Sequence, residues 1–211
     1  YTDVIKYAEF IGTKTSFEVT TTLAANSTNA RITTKAILNP TCGVMSDESS
    51  LVVGGKFSTR QQFPWLVSIF GKIEQKFEHA GSGSLISNRH VVSKAGSVAY
   101  ADDQKYYHPI DIDQVKIFLG TTKFQNNQEP GAVEIGVNKI TVYPGAQALT
   151  PSIFDVAVIT LSQPIPLSSV ILPVCIGSFN DRSYAGQTVF GSGYGWDQNQ
   201  TITGVKKHVK M

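Results

Sequence analysis

The sequence has little of what usually marks a specialised function. Charge is scarce: 16% of the 211 residues are charged, and the net charge is only +2. That excludes the basic footprint of a nucleic-acid binder and the polybasic surface of a protein drawn to anionic membranes. No apolar run approaches the length of a membrane-spanning helix. Cysteine is limited to Cys42 and Cys175. They form no CxxC pair and have no histidine at ligand spacing, which excludes the common zinc modules. Gly191-Ser192-Gly193-Tyr194-Gly195 lacks the Gly-Lys-Ser/Thr ending of a phosphate loop. It is also not the Gly-x-Ser-x-Gly elbow of hydrolases, which needs a helix after the serine. Tight turns are the better use of its glycines.

What is present is a set of short apolar runs. From Gln62 onward Val, Ile, Phe and Leu recur at strand length, divided by Gly, Pro, Asn and Asp. The pattern predicts strands at 64–72, 76–87, 90–94, 114–119, 132–143 and 156–161. Short strands with turn signals between them predict an antiparallel barrel or sandwich, and no long helical period competes. Pro164, Pro166 and Pro173 break the next stretch into a connector. A second strand group is expected at 187–191 and 205–209. Residues 1–41 are Thr-rich and strand-like or irregular, with weak alternation at 17–20 and 31–34. They read as the tail of an upstream domain or as a linker, ending at the break Asn39-Pro40.

The two cysteines admit two readings: separate buried thiols, or one disulfide closing a long loop. The second implies an oxidising compartment. Sequons at Asn26 and Asn199 are compatible with it, as glycosylation sites. No metal and no cofactor are expected. Calcium wants several oxygen ligands, and the loop 121–130 holds one carboxylate, Glu129. Asp102, Asp103, Asp111 and Asp113 read as a solvated acidic loop. Lys206, Lys207, His208 and Lys210 read as the wet face of a strand, by alternation with Val205 and Val209.

Several strings, in one order, resemble the chymotrypsin/trypsin family of serine proteases. Leu51-Val52-Val53-Gly54-Gly55 is similar to the activation sequence IVGG. Phe63-Pro64-Trp65-Leu66-Val67 resembles FPW-aliphatic, and Gly83-Ser84-Leu85-Ile86-Ser87 resembles GGSLI. Val91-Val92-Ser93-Lys94-Ala95-Gly96-Ser97 stands where the family writes VLTAAHC. Phe154-Asp155-Val156-Ala157-Val158 resembles NDIAL, Leu172-Pro173-Val174-Cys175 resembles LPVC, and Gly193-Tyr194-Gly195 stands at GWG. The FPWLV and LPVC segments are similar in style to arthropod cascade proteases of the gastrulation-defective type.

The resemblance implies an all-β fold, with an antiparallel six-stranded barrel and the opening strands of a second. It divides the chain into a Thr-rich pro-segment at 1–50 and an incomplete protease domain at 51–211. Within that domain the first barrel is expected at about 51–162, the connector at 163–183 and the start of the second barrel at 184–211. It pairs Cys42 with Cys175, joining pro-segment to connector. It places an activation-like site at Ser50–Leu51, with serine where trypsin-like activators require Arg or Lys.

The family's mechanism needs a serine nucleophile, a histidine base and an aspartate that orients the histidine. By resemblance Asp155 is the aspartate, and Gly96 stands at the histidine position. No GDSGG-like string occurs, so the nucleophile has no counterpart. His90 reads as a surface strand residue, and His79, His108 and His208 have no reason to reach Asp155. The cysteines that bracket the family's histidine loop correspond to Gly81 and Ser97. Asp155 is expected to keep a backbone donor from Ala95 or Gly96, because a buried carboxylate without partners is costly. The expectation is therefore a catalytically inactive, extracellular homologue that binds unknown extracellular proteins, among them active proteases of a cascade, and neither nucleic acid nor membrane. The alternatives are a serine endopeptidase whose C-terminal half lies outside this sequence, and a truncated product without independent function.

Overall fold

Alternation of apolar residues, seen against a neighbour on each side, closes a barrel. The computed structural model describes residues 20–22, 33–35, 42–45, 56–124, 128–149, 152, 154–176, 186, 188–195 and 204–210. The strands are β1 (Thr20–Thr22), β2 (Thr33–Lys35), β3 (Lys56–Phe57), β4 (Leu66–Ile73), β5 (Lys76–Leu85), β6 (His90–Ser93), β7 (Ala99–Ala101), β8 (Tyr107–Pro109), β9 (Val115–Leu119), β10 (Val133–Val142), β11 (Ala157–Leu161), β12 (Phe190–Gly193) and β13 (Lys207–Lys210). Helix is confined to single 3₁₀ turns at Ala95–Ser97 and Ile112–Gln114 among the described residues.

Six strands form a closed antiparallel barrel in the order β10-β11-β6-β5-β4-β9. The register sets the layers of its interior. Val67 faces Leu119 and Ile69 faces Ile117 across β4 and β9, and Ile140 faces Ile159 across β10 and β11. These residues share one core with Leu85, Val91, Ala157 and Leu161. Closure also demands close approach. A Cβ at Gly83 would lie 2.8 Å from Val91 Cγ1 and 2.9 Å from the Val92 carbonyl oxygen, so only glycine fits at this point of β5. Register shifts between Ile69 and Phe70 and between Val137 and Lys139 mark bulges that bend the wall.

The expected barrel strands are all present, with ends displaced by at most a few residues. The second strand group is present as β12 and β13. They pair with each other and with β3 in a three-stranded sheet, order β12-β13-β3. β3 and the hairpin β7–β8 were not foreseen, being too short to show a period. In the Thr-rich stretch β1 pairs with β2 antiparallel, which favours the strand-like reading there. The fold is nearly all-β and matches the expected class.

Lys206 corrects the sequence reading. It is 2% exposed, and its Nζ donates to the carbonyl oxygens of Phe63 at 3.0 Å and Arg60 at 3.4 Å. It precedes β13 and turns toward the barrel, while Val209, placed inward by alternation, is 38% exposed.

Candidate functional site

The turn after β6 and the start of β11 bring the conspicuous residues together. Ser93 pairs with Ala157 at the ends of these two strands. The chain then makes the 3₁₀ turn Ala95–Ser97, while Asp155 arrives just before β11. The Gly96 amide donates to Asp155 Oδ1 at 3.0 Å, which is the expected backbone donor. Lys94 Nζ lies 3.7 Å from Oδ2; the Asp155 side chain is 14% exposed and that of Lys94 62%. A shielded carboxylate therefore meets one amide and one solvent-exposed cation.

Gly96 is exposed, with two side chains bordering it. A Cβ built there would lie 2.9 Å from the Tyr107 hydroxyl and 3.4 Å from Lys94 Cε. Tyr107, at the start of β8, packs against the barrel core. Its amide donates to the Ala146 carbonyl at 2.9 Å, which ties the β7–β8 hairpin to the loop before Asp155. An open groove of about 570 Å³ runs along this rim, lined by Asp102, Tyr106, Tyr107, Lys139 and Tyr143 among others. Phe154, next to Asp155, adopts φ 52°, a left-handed conformation costly for a bulky side chain. Its ring packs on Tyr143 at 5.4 Å.

Gly81 and Ser97 are in contact, as a bracketing pair requires: a Cβ at Gly81 would lie 3.2 Å from that of Ser97. Cys42 and Cys175 form a disulfide, with Cα atoms 5.0 Å apart and a sequence separation of 133. The Gly43 amide donates to the Pro173 carbonyl at 2.8 Å alongside it. Among the described residues no group of three metal-ligating side chains gathers. Ser50, Leu51, Asn26 and Asn199 lie outside the described residues.

Each of the four histidines has neighbours other than Asp155. His79 stacks on Phe124 at 4.8 Å and 10°. His90 is half-buried and not fully on the surface, and its Nδ1 meets Ser87 Oγ at 2.9 Å. Burial, aided by Arg89, holds it below its ordinary value. His108 Nε2 lies 2.8 Å from Asp102 Oδ2, and that contact lowers the Asp102 carboxyl. His208 Nδ1 lies 2.8 Å from Ser58 Oγ, which is buried. Asp102 thus accepts within the β7–β8 hairpin, while Asp103, Asp111 and Asp113 are exposed, in line with a solvated acidic loop. Glu129 folds onto its own loop, accepting from the Thr122 amide at 3.0 Å.

Two residues of this site escaped the sequence reading. Lys94 had a signal, since the family string writes alanine there. Tyr107 had none, because only the hairpin carries it back to Gly96.

The trypsin family model matches residues 52–210. The chain is 28% identical over 158 residues to the suppressor of tumorigenicity 14 protein homolog of Bos taurus, covering 74% of this chain and 18% of that protein. It is 23% identical over 175 residues to ovochymase-2 of Mus musculus, covering 77% and 26%. It is 27% identical over 154 residues to coagulation factor IX of Oryctolagus cuniculus, covering 72% and 50%. The chain thus spans half or less of the length of these curated relatives.

Proposed function

This chain belongs to the trypsin family, and from that premise we propose that it is a non-catalytic member, an extracellular binding protein that engages active proteases of a cascade. The observation that carries the reading is the environment of Asp155. In an active member the aspartate orients a histidine, which takes the proton of the serine nucleophile. Here position 96 is an exposed glycine, its amide is bonded to Asp155, and the Tyr107 hydroxyl borders the place where a side chain would start. A serine hydroxyl without an adjacent base is a poor nucleophile, and losing the base alone costs several orders of magnitude in rate. An endopeptidase completed by residues beyond this sequence would still need that base.

On this reading Asp155 is retained for the fold of the turn, not for chemistry. The division into a Thr-rich segment at 1–50 and a protease domain from 51 onward, the glycosylation of Asn26 and Asn199, and the loss of the activation switch at Ser50–Leu51 belong to the same proposal. Treating the purified chain with a fluorophosphonate probe and with peptide amide substrates tests it. Neither labelling nor hydrolysis is expected, for the native chain or for Gly96→His. Stoichiometric labelling of any serine would refute the reading.

A further inference from the structure

The three-stranded sheet meets the barrel through a junction that contains a buried amine, Lys206, and a half-buried imidazole, His79. Segment 122–124 leaves the barrel after β9 and pairs with segment 204–206, which leads into β13. The Phe124 amide donates to the Gly204 carbonyl at 2.9 Å, the Lys206 amide donates to the Thr122 carbonyl at 2.7 Å, and Lys123 bridges Val205. Two side chains seal this seam. From the sheet side Lys206 inserts its Nζ against the carbonyl oxygens of Phe63 and Arg60. From the barrel side His79 of β5 stacks on Phe124, with Phe70 and Tyr194 presenting edges to it at 5.5 and 6.4 Å.

We propose that this junction is a pH-responsive latch: the sheet β12-β13-β3 is held on the barrel most tightly when Lys206 and His79 are both uncharged, and proton uptake at either loosens the sheet while the barrel stays closed. The geometry shows why neutrality suits the seam. An amine has two hydrogens, enough for both carbonyls that Lys206 meets, so losing a proton forfeits neither hydrogen bond. The ammonium adds a buried charge instead, which is expensive to desolvate. For His79, Nε2 is buried and makes no hydrogen bond to any described residue. An imidazolium there would bury a donor without an acceptor, a cost that stacking on the face of Phe124 offsets only in part.

The surrounding groups do not supply the missing compensation. Around Lys206 stand Arg60, Glu129, Tyr194 and His208. Glu129 is the favourable partner, but its carboxylate is shared with Arg60 Nε at 3.5 Å and with the amide and hydroxyl of Thr122. The Arg60 guanidinium repels an ammonium. The Tyr194 hydroxyl donates to the Thr121 carbonyl at 2.7 Å, and burial pushes it up to about 12, so it stays neutral. His208 Nδ1 is engaged by Ser58 Oγ at 2.8 Å, and the Ser58 amide donates to the Lys206 carbonyl. Around His79 the neighbours are Phe70, Phe124 and Tyr194. Burial brings the Lys206 amine down to about 7 against the pull of Glu129. It likewise holds His79 below its ordinary value, against the Gly81 backbone contact.

The sign follows from comparing docked and released states. A released Lys206 returns to the ordinary lysine value of about 10.4, so docking expels a proton between about 7 and that value. Docking therefore tightens as pH rises across the window, and the opening constant changes about tenfold per pH unit where one proton is exchanged. Below pH 7 Lys206 adds no further loss. His79 adds its own as pH falls through the range beneath its ordinary value.

Hydrogen exchange of the full chain from pH 9 to pH 5, corrected for intrinsic exchange, tests the latch. Opening of peptides that contain β12 and β13 should rise about tenfold per unit from pH 9 to pH 7.5, while peptides of β9 and β11 show no such slope. Lys206→Met should flatten that range and leave a smaller rise in acid, which His79→Phe removes. A slope shared by the barrel strands, or one that survives Lys206→Met, overturns the proposal. Should Lys206→Met fail to fold, the native profile decides alone, since flat opening of β12 and β13 between pH 9 and pH 7.5 also overturns it.

Discussion

The barrel and the three-stranded sheet are both antiparallel, yet they are stabilised in different ways. The barrel buries contiguous aliphatic layers, and Val67, Ile69, Ile117, Leu119, Ile159 and Leu161 are all sealed from solvent. Among the described residues, the strands of the sheet contribute no fully buried apolar side chain. Phe57 is 71% exposed, Phe190 and Val209 are also exposed, and the sheet is anchored by Lys206, Tyr194 and the aromatic contacts of Phe63. Closure removes both sheet edges and makes dispersion and hydrophobic burial additive around the wall. An open sheet depends on a few specific contacts, each with its own directional and ionic requirements. The difference teaches that stability and sensitivity are divided: the barrel resists change, and the junction responds to it.

The largest expected effect breaks the barrel. Ile117→Ala should cost about 3–4 kcal/mol in urea unfolding, through lost transfer energy and a residual cavity. Val209→Ala in the sheet should stay within about 0.5 kcal/mol. Similar losses at the two positions would erase the distinction drawn here.

Next comes a staple confined to the barrel side. The Gly81→Cys, Ser97→Cys pair starts from a Cβ separation of 3.2 Å, a few tenths of an ångström short of the usual range. Its bridge should form spontaneously and add up to about 3 kcal/mol on the chain-entropy estimate. Mass spectrometry reads the bond. Hydrogen exchange of β12 and β13 should be unaffected, and protection gained there would mean that the two regions open together.

A smaller gain is expected at the β4–β5 hairpin. Glu74 and Gln75 form its two-residue turn with φ of 46° and 71°, where glycine and asparagine are favoured. Gln75→Gly should stabilise by roughly 0.5–1 kcal/mol through relief of strain. A drop in the thermal midpoint would contradict this. The smallest effect belongs to Lys94. Its ion pair with Asp155 is long and well hydrated, so Lys94→Ala should cost only about 0.5 kcal/mol. A loss several times larger would mean that the cation, not the Gly96 amide, holds Asp155 in place.

The legibility of the molecule follows the same division. The strands β4, β5, β6, β9, β10 and β11 were readable because burial on one face imposes a period of two on the residues themselves. The pairing of Cys42 with Cys175 came only through resemblance, because spacing alone does not choose a partner. Lys206 was misread for a physical reason. Its neighbours in sequence form a basic run, whereas its actual partners are carbonyls of Arg60 and Phe63, the latter 143 residues away.

The amino-acid sequence by itself determined the all-β class and the run of barrel strands, which depend on local alternation. Gly96 and Asp155 were assigned to one site only through the family resemblance, because nothing local in either segment points to the other. Tertiary structure alone decided that the Tyr107 hydroxyl lies beside Gly96, that Lys94 reaches Asp155, that His79 stacks on Phe124 and that Lys206 is buried. Each is a contact between segments far apart in the chain. Its partner is chosen by how strands close and loops return, and no pattern within either segment encodes that.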